Sequence, residues 1–115
     1  MQVQAERHPG LLVFRIAGDL RLWNHPEAEA RLQTALRSGL KEAPEQLVLN
    51  LGGLTHLDSL GIGSLVRIAA HCAREQIGLR VVMPSGITGE VLTQIRVFAG
   101  WPTFADEPTA LGSAA

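Results

Sequence analysis

Short apolar runs alternate with longer amphipathic segments along this chain, and the alternation limits its possible folds more than any other feature. The runs LLVFRIAG (11–18), EQLVLNLGG (45–53) and LRVVMP (79–84) are rich in large apolar and β-branched residues and end at Gly or Pro, which indicates strands. A weaker strand around Val3 precedes them. Three further segments repeat apolar residues at three- and four-residue steps, which indicates helices. These segments are 26–40, 59–78 and 85–100.

The order β-β-α-β-α-β-α predicts one α/β sheet with helices packed on it, rather than separate blocks of strands and helices. Strand-helix-strand units cross over in a right-handed sense, so the later strands should be parallel neighbours. We therefore expect a mixed, mostly parallel sheet of about four or five strands. A chain of 115 residues supports one hydrophobic core. A single domain is predicted over residues 1–115.

Composition and charge exclude several classes of partner and location. A net charge of -1 gives no electrostatic reason to expect nucleic acid or anionic lipid as a partner. No apolar run approaches the roughly 20 residues that span a bilayer, and the first residues lack the pattern of a secretory signal. Cys72 has no partner for an internal disulfide, and its helical context predicts a small buried thiol. We expect a cytoplasmic protein that does not insert into membranes.

The segment LTHLDSLGIGSL (54–65) leads into the second predicted helix, and its residues limit the possible chemistry. Phosphate-binding loops follow G-x-G-x-x-G or G-x-x-x-x-G-K-[ST]. Gly61 and Gly63 have no third glycine three residues later and no Lys after them, so neither motif is present. A hydrolase elbow, G-x-S-x-G, is excluded because Leu57 stands two residues before Ser59. The four histidines are too scattered to predict a metal site. No catalytic residue, metal or cofactor is predicted.

Asp58 and Ser59 stand where this helix begins. The carboxylate of Asp58 is placed to accept bonds from the first-turn amides as an N-cap, which typically stabilises by about 1 kcal/mol. That role explains neither Ser59 nor the two glycines, Gly61 and Gly63, each of which costs about 0.5–1 kcal/mol against Ala in a helix. Small residues at these positions predict a low, open surface around Ser59 that another protein can approach closely.

The second helix is predicted to have an apolar face and a polar face. The apolar face comprises Ile62, Leu65, Val66, Ala69, Ala73 and Ile77. Arg67, His71 and Arg74 share the polar face, which is either merely solvated or a positive surface that attracts an acidic patch of a partner. The predicted partner-binding residues are Leu57, Leu60, Gly61, Gly63, Arg67, His71 and Arg74.

The segment LVLNLGGLTHLDSLGIGSLVRIAAHCAREQIGLRVV (47–82) resembles the core signature of the STAS domain, the family of anti-sigma factor antagonists. That signature is an apolar strand followed by a D-S-[SG]-G-[LI]-[GA] turn into a helix. GDL before the first helix and VFAGWPTF near the end also fit, so the resemblance covers essentially the whole chain. It implies that Ser59 is phosphorylated by a partner kinase, that a phosphatase restores it, and that Asp58 helps to shape the site. Leu60 departs from the family pattern, in which Ser or Gly is common.

The resemblance implies a protein-binding module that is not an enzyme and needs no cofactor. We expect an anti-sigma factor antagonist that binds a serine-kinase anti-sigma factor while Ser59 is unmodified, because a phosphate would place an unpaired charge in the interface. One alternative is a STAS subunit of a stress-signalling or lipid-transport assembly. Another is a nucleotide or small-anion binder that uses the backbone amides of residues 59–63.

Overall fold

Six strands and four helices form within residues 1–112, the part of the chain that the computed structural model describes. The strands are β1 Gln2–His8, β2 Leu11–Leu20, β3 Gln46–Asn50, β4 Leu54–Leu57, β5 Gly78–Val82 and β6 Thr103–Phe104. The helices are α1 Pro26–Leu40, α2 Ser59–Arg74, α3 Gly86–Gln94 and α4 Glu107–Gly112. The last three residues of the domain predicted over 1–115 lie outside the described range.

The strands lie in the order β1-β2-β3-β5-β6, and β4 pairs with the far end of β2. β1 and β2 are antiparallel, whereas every other described pair is parallel. The predicted α/β class and mixed, mostly parallel sheet are therefore confirmed. The sheet has six strands instead of four or five because the sequence pattern did not reveal β4 and β6, which have only four and two residues.

β2 changes its partner along its length, and this change positions the loop that follows it. Residues Leu11–Arg15 pair with β3, whereas Gly18, Asp19 and Leu20 pair with β4, with a shift in register between Gly18 and Asp19. Gly18 has a φ of 83, a backbone conformation that favours glycine, and its amide donates to the Gly53 carbonyl at 2.9 Å. The ends of β2 and β4 therefore lie side by side, with Leu20 opposite Leu57.

The two faces of the sheet are covered unequally. Alternate residues of β2 such as Leu12, Phe14 and Ile16 pack with buried residues of α1, α2 and α3 in the main core. The other face holds a smaller cluster that brings α4 onto the sheet. Its buried members are Val13, Val48, Val82 and Ala110. The bidentate ion pair between Arg15 and Glu107, with an Nε–Oε1 distance of 2.7 Å, also attaches α4 to this face.

The buried face of α2 differs from the predicted one. Val66 and Ala73 are exposed, while Ile68 and Cys72 are buried with Leu65 and Ala69. Steps of three and four residues admit several overlapping stripes on a helix rich in small apolar residues, and packing against the sheet selects one of them. Cys72 is a buried free thiol, as expected, and burial raises its pKa to about 11.

The helix ends also differ from the sequence prediction. α2 ends at Arg74, and Gln76, with a φ of 57, takes the left-handed conformation that was expected of Gly78. Gly78 instead begins β5. α3 ends at Gln94, six residues before the predicted end, and Arg96 follows with a φ of 57. No helix within residues 1–112 combines the length and the apolar character needed to cross a membrane.

Candidate functional site

The loops after β2 and β4 meet at one edge of the sheet and form the candidate site. Because β4 pairs with the end of β2, the β2–α1 loop (21–25) lies beside the turn from β4 into α2. Asp58 is the single residue between β4 and α2 and is extended, with φ -126 and ψ -178. This edge holds the carboxyl ends of parallel strands, where α/β proteins commonly place functional residues.

Both carboxylate oxygens of Asp58 hold backbone amides. Oδ1 accepts from the Gly61 amide at 2.8 Å, so Asp58 is the N-cap of α2. Oδ2 accepts from the Trp23 amide at 2.8 Å, which links α2 to the β2–α1 loop. Burial favours a higher pKa for Asp58, but the backbone amides around it outweigh burial and hold the pKa below its usual value of 3.8. Asp58 therefore remains an anion that joins two loops, a second role that the sequence did not predict.

Ser59 is the first residue of α2, and it is exposed. Among the described residues its hydroxyl has no hydrogen bond, so the fold does not depend on this group. Ser64, one turn further along, is fully buried and accepts a hydrogen bond from Nη2 of Arg67 at 3.0 Å. Of these two serines, only Ser59 presents its hydroxyl to an approaching protein.

The two glycines of the first turns have different structural roles. A Cβ on Gly61 would lie 2.1 Å from the backbone oxygen of Leu20, so Gly61 permits α2 to pack closely on the end of β2. Gly61 is buried, which corrects its prediction as a surface residue for partner binding. A Cβ on Gly63 would meet only a guanidinium nitrogen of Arg67 at 3.8 Å, an ordinary contact. Packing therefore does not require a glycine at position 63.

Apolar side chains flank Ser59 on both sides. Leu60 is 36% exposed and Trp23 is 74% exposed, while Leu57 is half-buried against the main core. Sequence reasoning missed Trp23 because it precedes Asp58 by 35 residues and reaches this site only through the pairing of β4 with β2. An exposed Trp in a loop after a GDL motif was the available signal, since Trp is enriched among residues that dominate protein interfaces.

The predicted polar residues of α2 lie farther from Ser59. With a rise of about 1.5 Å per residue, Arg67 is about 12 Å and Arg74 about 22 Å along the helix from Ser59. Arg67 and Arg74 are exposed and His71 is half-buried. All three line a groove of about 820 Å³ between α1 and α2, which Arg37 and Lys41 also line. The structure thus brings the three residues together but separates most of them from the turn at Ser59.

The start of α2 offers little for a small anion. The Gly61 amide donates to the Asp58 carboxylate, and the Ile62 amide donates to the Asp58 carbonyl at 2.9 Å. The negative charge of Asp58 also faces any anion that approaches these amides. Within residues 1–112, no group of three or more His, Cys, Asp or Glu side chains is placed to hold a metal ion.

Comparison with known proteins relates this architecture to a family. The sequence profile of the STAS domain matches residues 2–110. The fold is similar to that of an anti-sigma factor antagonist from Mycobacterium paratuberculosis, with a TM-score of 0.75, 19% identity, and coverage of 97% of this chain and 92% of that chain. It is also similar to the phosphorylated form of the Bacillus cell fate determinant SpoIIAA, with a TM-score of 0.68, 19% identity, and coverage of 99% and 100%.

A third similar structure is RsbS from Moorella thermoacetica, with a TM-score of 0.75, 14% identity, and coverage of 98% of this chain and 94% of that chain. No curated protein sequence matches the chain significantly. At these identities the solved structures show a shared fold, and the profile match extends over nearly all of the chain.

Proposed function

Since this chain belongs to the STAS domain family, we propose that it is an anti-sigma factor antagonist whose binding to an anti-sigma factor is switched by phosphorylation of Ser59. The unmodified protein binds an anti-sigma factor that is itself a serine kinase, and a phosphatase later removes the phosphate. The similarity of the fold to an anti-sigma factor antagonist supports the class of partner. We place this exchange in the cytoplasm.

One observation carries the proposal: the Ser59 hydroxyl is exposed, lies directly after the capping Asp58, and has no bond within residues 1–112. A residue with no contribution to packing or capping is free to be modified without loss of the fold. The positive end of the α2 dipole further offsets part of the about -1.5 to -2 charge that a phosphate adds. Ser59 therefore suits a switch that changes binding and leaves the structure intact.

The chemistry needs no catalytic group from this chain, which accordingly acts as a substrate and not as an enzyme. The Ser59 oxygen attacks the γ-phosphorus of ATP, the bond from that phosphorus to the bridging oxygen breaks, and ADP leaves. The hydroxyl proton passes to a base of the kinase. Asp58 holds the turn in place through its bonds to Gly61 and Trp23, so that the hydroxyl is presented in a constant position.

The proposed docking surface has an apolar centre and a basic extension. The apolar centre comprises Leu57 and Leu60, which are close to Ser59 in the chain, and Trp23, whose amide bonds to Asp58. Gly63 adds no side chain to this surface. Arg67, His71 and Arg74 continue the surface along α2. A phosphate at Ser59 would place a charge among apolar contacts. Leaving that charge unpaired costs several kcal/mol, and about 3 kcal/mol already weakens binding more than a hundredfold.

The other candidate functions have less support. A nucleotide or small-anion site at residues 59–63 is disfavoured because Asp58 already engages the first-turn amides and carries the same charge as the ligand. A STAS subunit of a larger assembly would use the same fold without any need for an accessible, unbonded serine. Identification of the proteins that copurify with the chain separates this alternative from the proposal.

A phosphorylation experiment with a matched serine tests the assignment. The affinity-tagged chain is purified with its natural partners, incubated with ATP, and analysed by mass spectrometry of its peptides. We expect one phosphate on Ser59, and none in Ser59→Ala. Ser85 is the control, because it is also an exposed serine at the beginning of a helix but follows Pro84 instead of an Asp. Ser85→Ala should leave the phosphate unchanged. Undiminished phosphorylation of Ser59→Ala would refute the assignment.

A further inference from the structure

The groove between α1 and α2 is strongly basic. Its volume is about 820 Å³. Its lining residues are Gln33, Thr34, Leu36, Arg37, Ser38, Leu40, Lys41, Arg67, Ile68, His71 and Arg74. Four of the ten Lys and Arg residues of the chain line it, and none of its eleven Asp and Glu residues does. A chain with a net charge of -1 thus concentrates positive charge at one place.

Most of this charge is not neutralised within the molecule. Across residues 1–112, no ion pair engages Arg37, Lys41 or Arg74. Arg67 has only a long contact with Glu29, in which Nη2 and Oε1 are 3.9 Å apart and both side chains are substantially exposed. Exposed pairs of this kind contribute little, typically below about 1 kcal/mol. The groove therefore presents at least three cations that remain available to a partner.

Favourable helix dipoles alone do not account for the arrangement. Cations in the last turn of a helix are stabilising by about 0.3–1 kcal/mol, which explains basic residues near the ends of α1 and α2. Such residues are stabilising on any side of the helix. Here Arg37 and Lys41 of one helix and His71 and Arg74 of the other all line the same groove. The like charges of Arg37, Lys41 and Arg74 repel one another, so this convergence is unfavourable until an anion lies between them.

The shape of the groove distinguishes between kinds of anion. The cations of α2 extend over about 10 Å from Arg67 to Arg74, and those of α1 form a second row across the groove. Leu36, Leu40 and Ile68 contribute apolar surface to the lining. Every buried side-chain polar atom in the described part of the chain has a hydrogen-bond partner, so none is left unpaired for a small ligand. Two rows of separated cations fit an extended chain of carboxylates.

We propose that this groove binds an acidic segment of the protein partner, one with carboxylates on both sides and apolar residues between them. The inference rests on the proposed function, because it concerns the partner that docks at Ser59. It adds Arg37 and Lys41 of α1 to the interface and separates that interface into two parts. The turn at Ser59 is switched by phosphate, whereas the groove is a constant anchor.

The separation follows from distance and screening. At physiological ionic strength, charges more than about 8 Å apart in water are largely screened from each other. The Arg67 guanidinium reaches back to Ser64, only about 8 Å along α2 from Ser59, but Arg74 is about 22 Å away along the helix. A phosphate on Ser59 therefore disrupts contacts at the turn without emptying the groove. The acidic segment would keep the partner at a high local concentration, ready to bind again after dephosphorylation.

The probe for this proposal is a fluorescein-labelled peptide of about ten glutamates, which is long enough to span the groove. Its binding to the full chain is followed by fluorescence anisotropy at physiological salt. We expect Arg37→Glu with Lys41→Glu to weaken binding by about tenfold or more, and Arg37→Gln with Lys41→Gln to weaken it less. The neutral pair provides a second measure if charge reversal disturbs α1, and circular dichroism verifies that each variant is folded.

The matched control changes the same net charge elsewhere. Arg31→Glu with Arg96→Glu places its charges outside the groove, since Arg31 donates to the Met1 carbonyl at 3.2 Å and Arg96 follows α3. This pair should change peptide binding by less than about twofold. If the control pair weakened peptide binding as much as Arg37→Glu with Lys41→Glu, the effect would be one of general charge and the proposal would be overturned. The proposal would also be overturned if both double variants at Arg37 and Lys41 bound the peptide with the affinity of the unchanged protein.

Two further outcomes separate this proposal from others. Ser59→Asp should alter peptide binding by less than about twofold, and a loss equal to that of the groove variants would refute a separate anchor. Tighter binding of phosphatidylglycerol vesicles or of an oligonucleotide than of the peptide, lost in the same groove variants, would assign the groove to another polyanion. The switch at Ser59 fails separately, if Ser59→Asp retains full affinity for the natural partner while the groove variants lose it.

Discussion

Replacement of Gly61 and Gly63 by alanine should have opposite effects on stability, although the two glycines lie in the same turn region of α2. A Cβ at position 61 would lie 2.1 Å from the backbone oxygen of Leu20, far below the 3.0 Å that real Cβ contacts respect. The obstacle is backbone, so the helix must retreat by about 1 Å or the end of β2 must move. At position 63 the nearest atom is the end of the flexible Arg67 side chain at 3.8 Å.

The magnitudes follow from these distances. Overpacking against a well-packed neighbour costs about 1–3 kcal/mol. A shift of α2 also weakens the bonds from the Asp58 carboxylate to Gly61 and Trp23, for about a further 1 kcal/mol. Alanine regains about 1 kcal/mol of helix propensity at either site. Gly61→Ala should therefore destabilise by about 2 kcal/mol, whereas Gly63→Ala should stabilise by up to about 1 kcal/mol.

Urea unfolding followed by circular dichroism separates the two variants. With a slope of about 1.5 kcal/mol per molar urea, a difference of about 3 kcal/mol separates their midpoints by about 2 M. Each variant serves as the control of the other, because both remove a glycine and add one methyl group to the same helix. Equal midpoints, or a more stable Gly61→Ala, would refute the close approach of α2 to β2 from which this prediction was worked.

Three further substitutions test the site around Ser59. Asp58→Ala should cost about 1–2 kcal/mol in urea, because it removes the helix cap and the bond to the loop. Folding lowers the pKa of Asp58, so the contribution of its carboxylate to stability should be complete well above pH 3.8 and should disappear as the pH falls through that lowered pKa. If the unchanged protein remained more stable than Asp58→Asn in strong acid, this expectation would be contradicted. Ser59→Ala should change stability by less than about 0.5 kcal/mol, and a larger loss would indicate a structural serine. Trp23→Ala should change stability just as little but weaken partner binding by about tenfold or more in calorimetric titration. Ile95→Ala, at another exposed apolar residue, should leave partner binding unchanged. Similar effects of the two substitutions would show that Trp23 is not part of the interface.

Local patterns sufficed for the features that depend on neighbouring residues. Three apolar runs that end at Gly or Pro and a weaker pattern around Val3 revealed four of the six strands, and helical spacing revealed three of the four helices. The position of Asp58 before a helical pattern predicted its bond to Gly61 because a cap joins residues only three apart. The exposure of Ser59 was predictable from the same local pattern, since the hydroxyl of a serine at the first helical position points outward.

Features that join distant parts of the chain could not be predicted from these patterns. The segment LTHL becomes β4 only because β2 extends past β3 and leaves its end unpaired. The buried stripe of α2 includes Ile68 and Cys72 because of the sheet beneath it, not because of its own periodicity. The boundaries of α2 and α3 depended on Gln76 and Arg96, which adopt a conformation that is uncommon outside glycine.

The sequence by itself determined the class of fold, the capped turn and the identity of the exposed hydroxyl, because these depend on periodicity and on contacts within one helical turn. Only the tertiary structure decided the surroundings of that hydroxyl. The pairing of β4 with β2 brings Trp23 beside Asp58 and turns Gly61 from a surface residue into a packing contact with Leu20. The groove that α1 and α2 line together collects basic residues from both helices. Such contacts join residues dozens of positions apart, so the local sequence patterns do not predict them.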